Sequence, residues 1–218
     1  MKFTAALLTL AGLASAADVA NSNAKSFADL GDGTYTVPIV NGTLHYAGAT
    51  RHLGDGNATA AALAARDADQ MPGKCVPQFP TRKTVCRTRD IRRADYLRAY
   101  SQFLQWIETG PDDGWVERGS CKSVVAGLAV VSACSKAGKQ PTCVDEVAEA
   151  MREIDEYCAE EAGGDIKIRR WAKIYSRHNV RDGDGLGRLL EEADGEDADE
   201  GGHEDFEEED PKVDQKTE

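Results

Sequence analysis

Six cysteines, Cys75, Cys86, Cys121, Cys134, Cys143 and Cys158, crowd into one stretch of a 218-residue chain. Their fate depends on the compartment, and the first sixteen residues speak to it. Lys2 supplies a positive start, Ala5 to Leu13 an apolar run, and Ala14-Ser15-Ala16 a small-residue cleavage site, the pattern of a secretory signal peptide. The run is far shorter than the roughly 20 residues that span a bilayer. An exported chain meets an oxidising environment in which an even set of thiols pairs, so three disulfides are expected. No two cysteines show the C-x₂₋₄-C spacing of a zinc site, and no metal is expected. Fifteen pairings of six cysteines exist, and sequence does not choose among them.

Later in the chain the most apolar stretch, Val124 to Val131, is broken by Gly127, so no transmembrane segment is expected. The net charge of -12 is unevenly placed. From Asp182 onward stand 17 acidic residues against Arg188, Lys212 and Lys216, a charge of -14, which leaves residues 1–181 at +2. The acidity therefore belongs to a separable, disordered tail, 182–218.

Residues 17–74, without cysteine and rich in Ala, Gly, Asn and Asp, read as a leader or pro-region, or as a small appended hairpin. The hairpin would join Thr34–Val40 to Thr43–Tyr46 through Asn41-Gly42, a dipeptide that tolerates positive φ. Asn41-Gly42-Thr43 and Asn57-Ala58-Thr59 are also N-glycosylation sequons. An Ala-rich stretch, Thr59 to Ala65, suits a short helix.

Residues 75–181 form the expected disulfide-bonded domain. Tyr96, Tyr100, Phe103 and Ile107 recur at helical spacing between Arg92 and Thr109, with Leu97 and Leu104 beside them. A second helix has Thr142 as its cap and Gly163-Gly164 as its stop. Val144, Val147, Met151, Ile154 and Cys158 lie on one stripe and acidic residues on the other face. Cys143 and Cys158 would then stand at opposite ends of that helix, about 22 Å apart, too far to bond to each other. Thr81–Ile91, Lys122–Ala133 and Asp165–Tyr175 look extended. The expected fold class is α+β, with two amphipathic helices packed on a small antiparallel sheet and stapled by disulfides.

No catalytic residue, cofactor site or metal site is expected. His45, His52, His178 and His203 have no nucleophile signature around them and read as exposed loop histidines. Asp182-Gly183-Asp184-Gly185-Leu186-Gly187 begins like a calcium loop, but Leu186 and Ala193 occupy two ligand positions. Two basic clusters, Arg82, Lys83, Arg87, Arg89, Arg92 and Arg93, then Lys167, Arg169, Arg170, Lys173 and Arg177, read first as structural bystanders, and otherwise suit an anionic partner or the acidic tail.

The leader, Asp32-Gly33-Thr34-Tyr35-Thr36-Val37-Pro38, Gly119-Ser120-Cys121, the acidic helix from Thr142-Cys143 to Tyr157-Cys158, and Trp171-Ala172-Lys173-Ile174-Tyr175 together carry a likeness. The chain resembles small secreted cysteine-rich proteins of filamentous fungi, candidate effectors of which some look like killer-toxin α/β sandwiches. The long acidic tail departs from that compact pattern. The resemblance implies a secreted non-enzymatic protein without cofactor, binding an extracellular protein, glycan or lipid of a host. The alternative is an antimicrobial or killer-type toxin that meets competing cells through its basic patches. Nucleic acid is not an expected partner.

Overall fold

The computed structural model of the chain describes residues 17–19, 21–52, 79, 82–110, 112 and 114–182. The expected signal segment, the Ala-rich stretch and the tail beyond Asp182 lie outside the described residues, as do Asn57, Cys75 and His203. In chain order the elements are β1 (Ala17–Val19), α1 (Phe27–Leu30), β2 (Gly33–Val40), β3 (Thr43–Leu44) and β4 (Thr50–His52). Then come β5 (Arg82–Asp90), α2 (Arg93–Thr109), β6 (Trp115–Val116), β7 (Ser120–Ala126) and β8 (Ala129–Ser135). The last are β9 (Gln140–Pro141), α3 (Val144–Cys158), β10 (Ala162–Ile168) and β11 (Lys173–Asn179).

The small sheet expected from sequence is corrected: a nine-stranded antiparallel sheet dominates the fold. Its order is β1-β4-β2-β7-β8-β11-β10-β5, with β3 paired to β2, and β6 and β9 make a separate ribbon. Three local features enlarge it. The apolar run Lys122–Ala133 is two strands folded at Gly127, whose φ of +59° suits a residue without Cβ. The stretch from 165 to 175 bends through a 3₁₀ turn, Arg169–Trp171, and a left-handed Ala172 into the β10–β11 hairpin. Asn41 and Gly42, at φ of 50° and 77°, turn β2 into β3, and β2 also lies along β7 from Gly33↔Val125 to Pro38↔Ser120.

Both faces of the central strands are covered, which is why β7 and β8 read as near-continuous small and apolar runs rather than alternating ones. On one face α2 and α3 enclose Phe103, Val124, Val131, Val147, Met151, Ile154, Ile166 and Tyr175. On the other, Phe27, Tyr35, Val37, Leu44 and Tyr46 meet Cys121, Val125, Val130 and Ile174. A seam of polar side chains crosses this second face: Ser123 faces Ser132, Ser132 faces Ser176 and Ser176 faces Asp165 across four strands. All four are fully buried.

The stripe read for α3 is the buried one, with Val147, Met151, Ile154 and Cys158 inward. Its ends differ from expectation. Cys143, not Thr142, precedes the helix and supplies no side-chain cap, and the helix stops at Ala159. Gly163 and Gly164 belong to β10, where a Cβ on Gly164 would come within 2.7 Å of Ile154 Cγ2, so glycine lets the helix seat on the strand. On α2 the apolar face is centred on Ala99, Phe103, Trp106 and Ile107, leaving Leu97 half exposed.

Cys86 and Cys158 bond β5 to the end of α3, and Cys121 and Cys134 join directly opposed positions of β7 and β8. Cys143 is disulfide-bonded as well. Among the described residues no helix is long and apolar enough to cross a membrane.

Candidate functional site

Three segments without long regular structure converge at one end of β8 and β11. The Lys136–Lys139 loop leads from β8 into β9, the first turn of α3 follows, and the Arg169–Trp171 corner joins β10 to β11. Lys136 N donates to the carbonyl of left-handed Ala172 at 3.0 Å, and Gln140 Nε2 donates to the Trp171 carbonyl, so two of the segments are tied together. Between them lies an open cavity of about 490 Å³ lined by Gly138, Lys139, Gln140, Glu146, Arg170, Trp171, Lys173 and their neighbours. That volume is within the range of small-molecule sites, about 300–1,000 Å³.

Charge is buried in the cavity floor. Lys173 Nζ lies 2.7 Å from Glu146 Oε2, donates to the Pro141 carbonyl, and sits 4.9 Å from the centre of the Tyr175 ring. The Tyr175 hydroxyl donates to the same Glu146 oxygen. Burial holds the Lys173 ammonium below the usual lysine value, with Glu146 pulling the other way. Burial, followed by the Glu146 charge, lifts the Tyr175 hydroxyl well above its ordinary value. Each of the three groups thus answers another, and the floor as a whole is neutral. At the rim the balance differs. Arg170 is exposed and has no ion-pair or hydrogen-bond partner among the described residues. Among the described residues Lys139 pairs only with the exposed Glu117, at 2.6 Å, and lies 5.7 Å from the Trp115 ring. Trp171 is half buried, braced edge-on by Phe79.

The two basic clusters read from sequence are dispersed by the fold. In the second, Lys173 is consumed in the cavity floor. Arg177 is buried, its Nη1 2.6 Å from Asp155 and its remaining donors on the carbonyls of Ala159, Glu160 and Ala162. Lys167 is buried on the opposite face of the sheet, and Arg169 and Arg170 alone stay exposed at the corner. In the first cluster, Arg82 pairs with Glu153 and Arg87 with Asp165, while Arg89 approaches Asp182 and Arg93 approaches Glu160. Arg92 shares Asp95 with Arg98. The acidic face of α3 is not wholly solvated either, because Glu146 and Glu153 are buried on these partners.

The histidines are also redistributed. His45 is exposed, as expected. His178 is buried with Ser176 Oγ 2.8 Å from its Nδ1, and burial, with Arg87 adding, pushes its pKa down to about 3. His52 belongs to a half-buried cluster that sequence reasoning missed. Lys122 Nζ is 2.5 Å from Asp112 Oδ2, 3.0 Å from His52 Nε2 and 3.3 Å from Thr36 Oγ1, with the Trp106 ring 5.0 Å away. The one signal available for it was a lysine set within an otherwise small and apolar strand. Asn41 and Thr43 are both exposed at the β2–β3 turn, so that sequon faces outward.

No family model matches this chain, and neither a curated protein nor a solved structure matches it.

Proposed function

We propose that this chain is a secreted, non-enzymatic, disulfide-stapled protein of the effector kind, and that it captures a host-derived extracellular molecule in the cavity beside Trp171. The cavity carries the reading: it is open and of ligand size, its buried ionisable groups are bonded to one another, and Arg170 at its exposed rim has no partner among the described residues. Binding needs unsatisfied groups at the surface of a rigid hollow, whereas proton transfer needs a group free to exchange its proton with a substrate. Lys173, Glu146 and Tyr175 use their polar atoms on each other. The serine and histidine of the Ser176–His178 pair lie beneath the surface. Export and the stapled fold go together, since a protein outside the cell depends on bridges that a reducing cytosol would not keep.

The test applies oxidised mature protein to plant leaf tissue and to lawns of competing microbes, beside a reduced and alkylated sample and a Gly138→Trp variant. A Cβ on Gly138 meets nothing within 4 Å, so this position of the cavity lining takes a side chain without a clash at its base. A leaf response lost on reduction and in Gly138→Trp supports the proposal. Inhibition of the lawns alone replaces it with the toxin reading, and an undiminished leaf response from Gly138→Trp removes the cavity from it.

A further inference from the structure

We infer, building on the cavity reading above, that the ligand taken there is a small carboxylate-bearing molecule whose acid group is held by Arg170. Three cations, Lys139, Arg170 and Lys173, line the hollow against one carboxylate, Glu146. Glu146 is spent on Lys173, with which it forms a buried pair, so its charge does not answer the rim. Among the described residues Lys139 is answered only by a solvent-exposed Glu117, and exposed pairs of this kind are worth little and yield readily to a competing anion. Arg170 is answered by nothing among the described residues. The residual potential of the cavity mouth is therefore positive although residues 1–181 are almost neutral, and it selects for an anion.

A guanidinium matches a carboxylate with two parallel N–H···O bonds, which favours a planar acid group over a diffuse charge. Arg170 is next to Trp171, an aromatic side chain that lines the same wall, so the part of the ligand that carries the acid meets an apolar ring beside the charge. An acid sugar and a free aromatic acid both meet that description, and their shared carboxylate is the group the inference rests on. The 3₁₀ geometry of Arg169–Trp171, tied to the Lys136–Lys139 loop through Ala172, sets the backbone from which Arg170 and Trp171 project before any ligand arrives.

Calorimetric titration of the full oxidised chain with trigalacturonate, its methyl ester, a neutral trisaccharide of equal length, and benzoate tests this. The acid trimer, benzoate or both are expected to bind, the ester and the neutral trimer to bind at least tenfold more weakly. Arg170→Ala is expected to weaken the acid on the order of tenfold or more, as for loss of a charge-assisted hydrogen bond, with Arg170→Lys between the two. Binding by the trimer but not benzoate identifies an acid sugar as the source, and the reverse a free acid. Equal binding of acid and ester, or no change in Arg170→Ala, overturns the inference. If Gly138→Trp still abolishes the leaf response in that case, the cavity reading survives it. Arg170 is exposed and has no partner among the described residues, so an unchanged urea midpoint in the alanine variant is expected and separates lost binding from lost structure.

Discussion

Nζ of Lys122 on β7 stands 3.0 Å from Nε2 of His52 on β4, and Thr36 Oγ1 on β2 stands 2.8 Å from the same ring nitrogen. Nε2 therefore accepts, and the imidazole is neutral with its proton on Nδ1. Burial and then the Lys122 charge hold His52 below its ordinary pKa, while Asp112 favours the protonated ring. Burial alone would raise the Asp112 carboxyl, but its bond to Lys122 prevails and holds it low. In Lys122→Met the His52 titration, followed by NMR of the ring proton, is expected to shift upward toward about 6.5 without reaching it, because burial persists. An unshifted curve would show that the ammonium exerts no field at the ring.

Acid should destabilise the fold before most carboxylates titrate. His178, at a pKa of about 3, and His52 both refuse protons that an unfolded chain would bind below about 6.5. The unfolded state then binds more protons, so stability is full above about pH 6.5 and falls as pH is lowered, by up to about 1.4 kcal/mol per pH unit for His178. Asp165, raised by burial against the pull of Arg87, acts in the opposite sense, gaining its proton in the fold above the usual carboxylate range. Urea midpoints at pH 7.5, 6 and 4.5 are expected to decline in turn, and more shallowly in His178→Gln. A pH dependence in His178→Gln identical to that of the parent would contradict the burial of this ring.

Removing the charge of Glu146 should cost more than removing the pair. Glu146→Gln leaves the Lys173 ammonium buried without a counter-ion, a loss of about 3–5 kcal/mol. Adding Lys173→Met to it is expected to recover much of that loss, since an apolar side chain of similar length then occupies the floor. Chemical denaturation of the two single variants and the double variant measures the coupling. Additive losses would mean that the two side chains do not sense each other.

The two described disulfides should differ in worth. Cys86 and Cys158 close a separation of 72 residues and Cys121 and Cys134 one of 13. Loop-closure entropy predicts a loss of roughly 4 kcal/mol for paired alanine replacement of the first and roughly 3 kcal/mol for the second. Urea unfolding of the two double variants decides the order. Peptide mapping of the unreduced chain is expected to recover both bridges and a third containing Cys143, for which the count of six leaves Cys75 as partner. A free Cys143 thiol in the oxidised chain would be incompatible with this pairing.

The cavity was legible only in fragments. Arg170 and Lys173 stood in a basic cluster and Glu146 on an acidic helix face, so sequence placed all three at the surface. They were assigned by the composition of their neighbours, and burial depends on what the rest of the chain brings against them. Glu146 is 27 residues from Lys173, and Arg82 is 71 from Glu153. No local pattern marks such partners, because a charge pair has no period.

What the sequence determined by itself was local: the buried stripe of α3, the positive-φ turn at Asn41-Gly42, and the inability of Cys143 and Cys158 to bond across a helix. Each follows from backbone geometry over a few consecutive residues. The tertiary structure decided how many strands the sheet has and which charges it swallows. Pairing β2 with β7 joins Tyr35 to Ser123 across intervening chain, and adding strands beyond β7 is what covers the second face. Strand pairing is a long-range hydrogen-bond match between backbones, and the backbone of one strand offers the same donors and acceptors as that of another. Register and neighbour are therefore selected by the collective burial of both faces, a quantity that exists only once the whole sheet has closed.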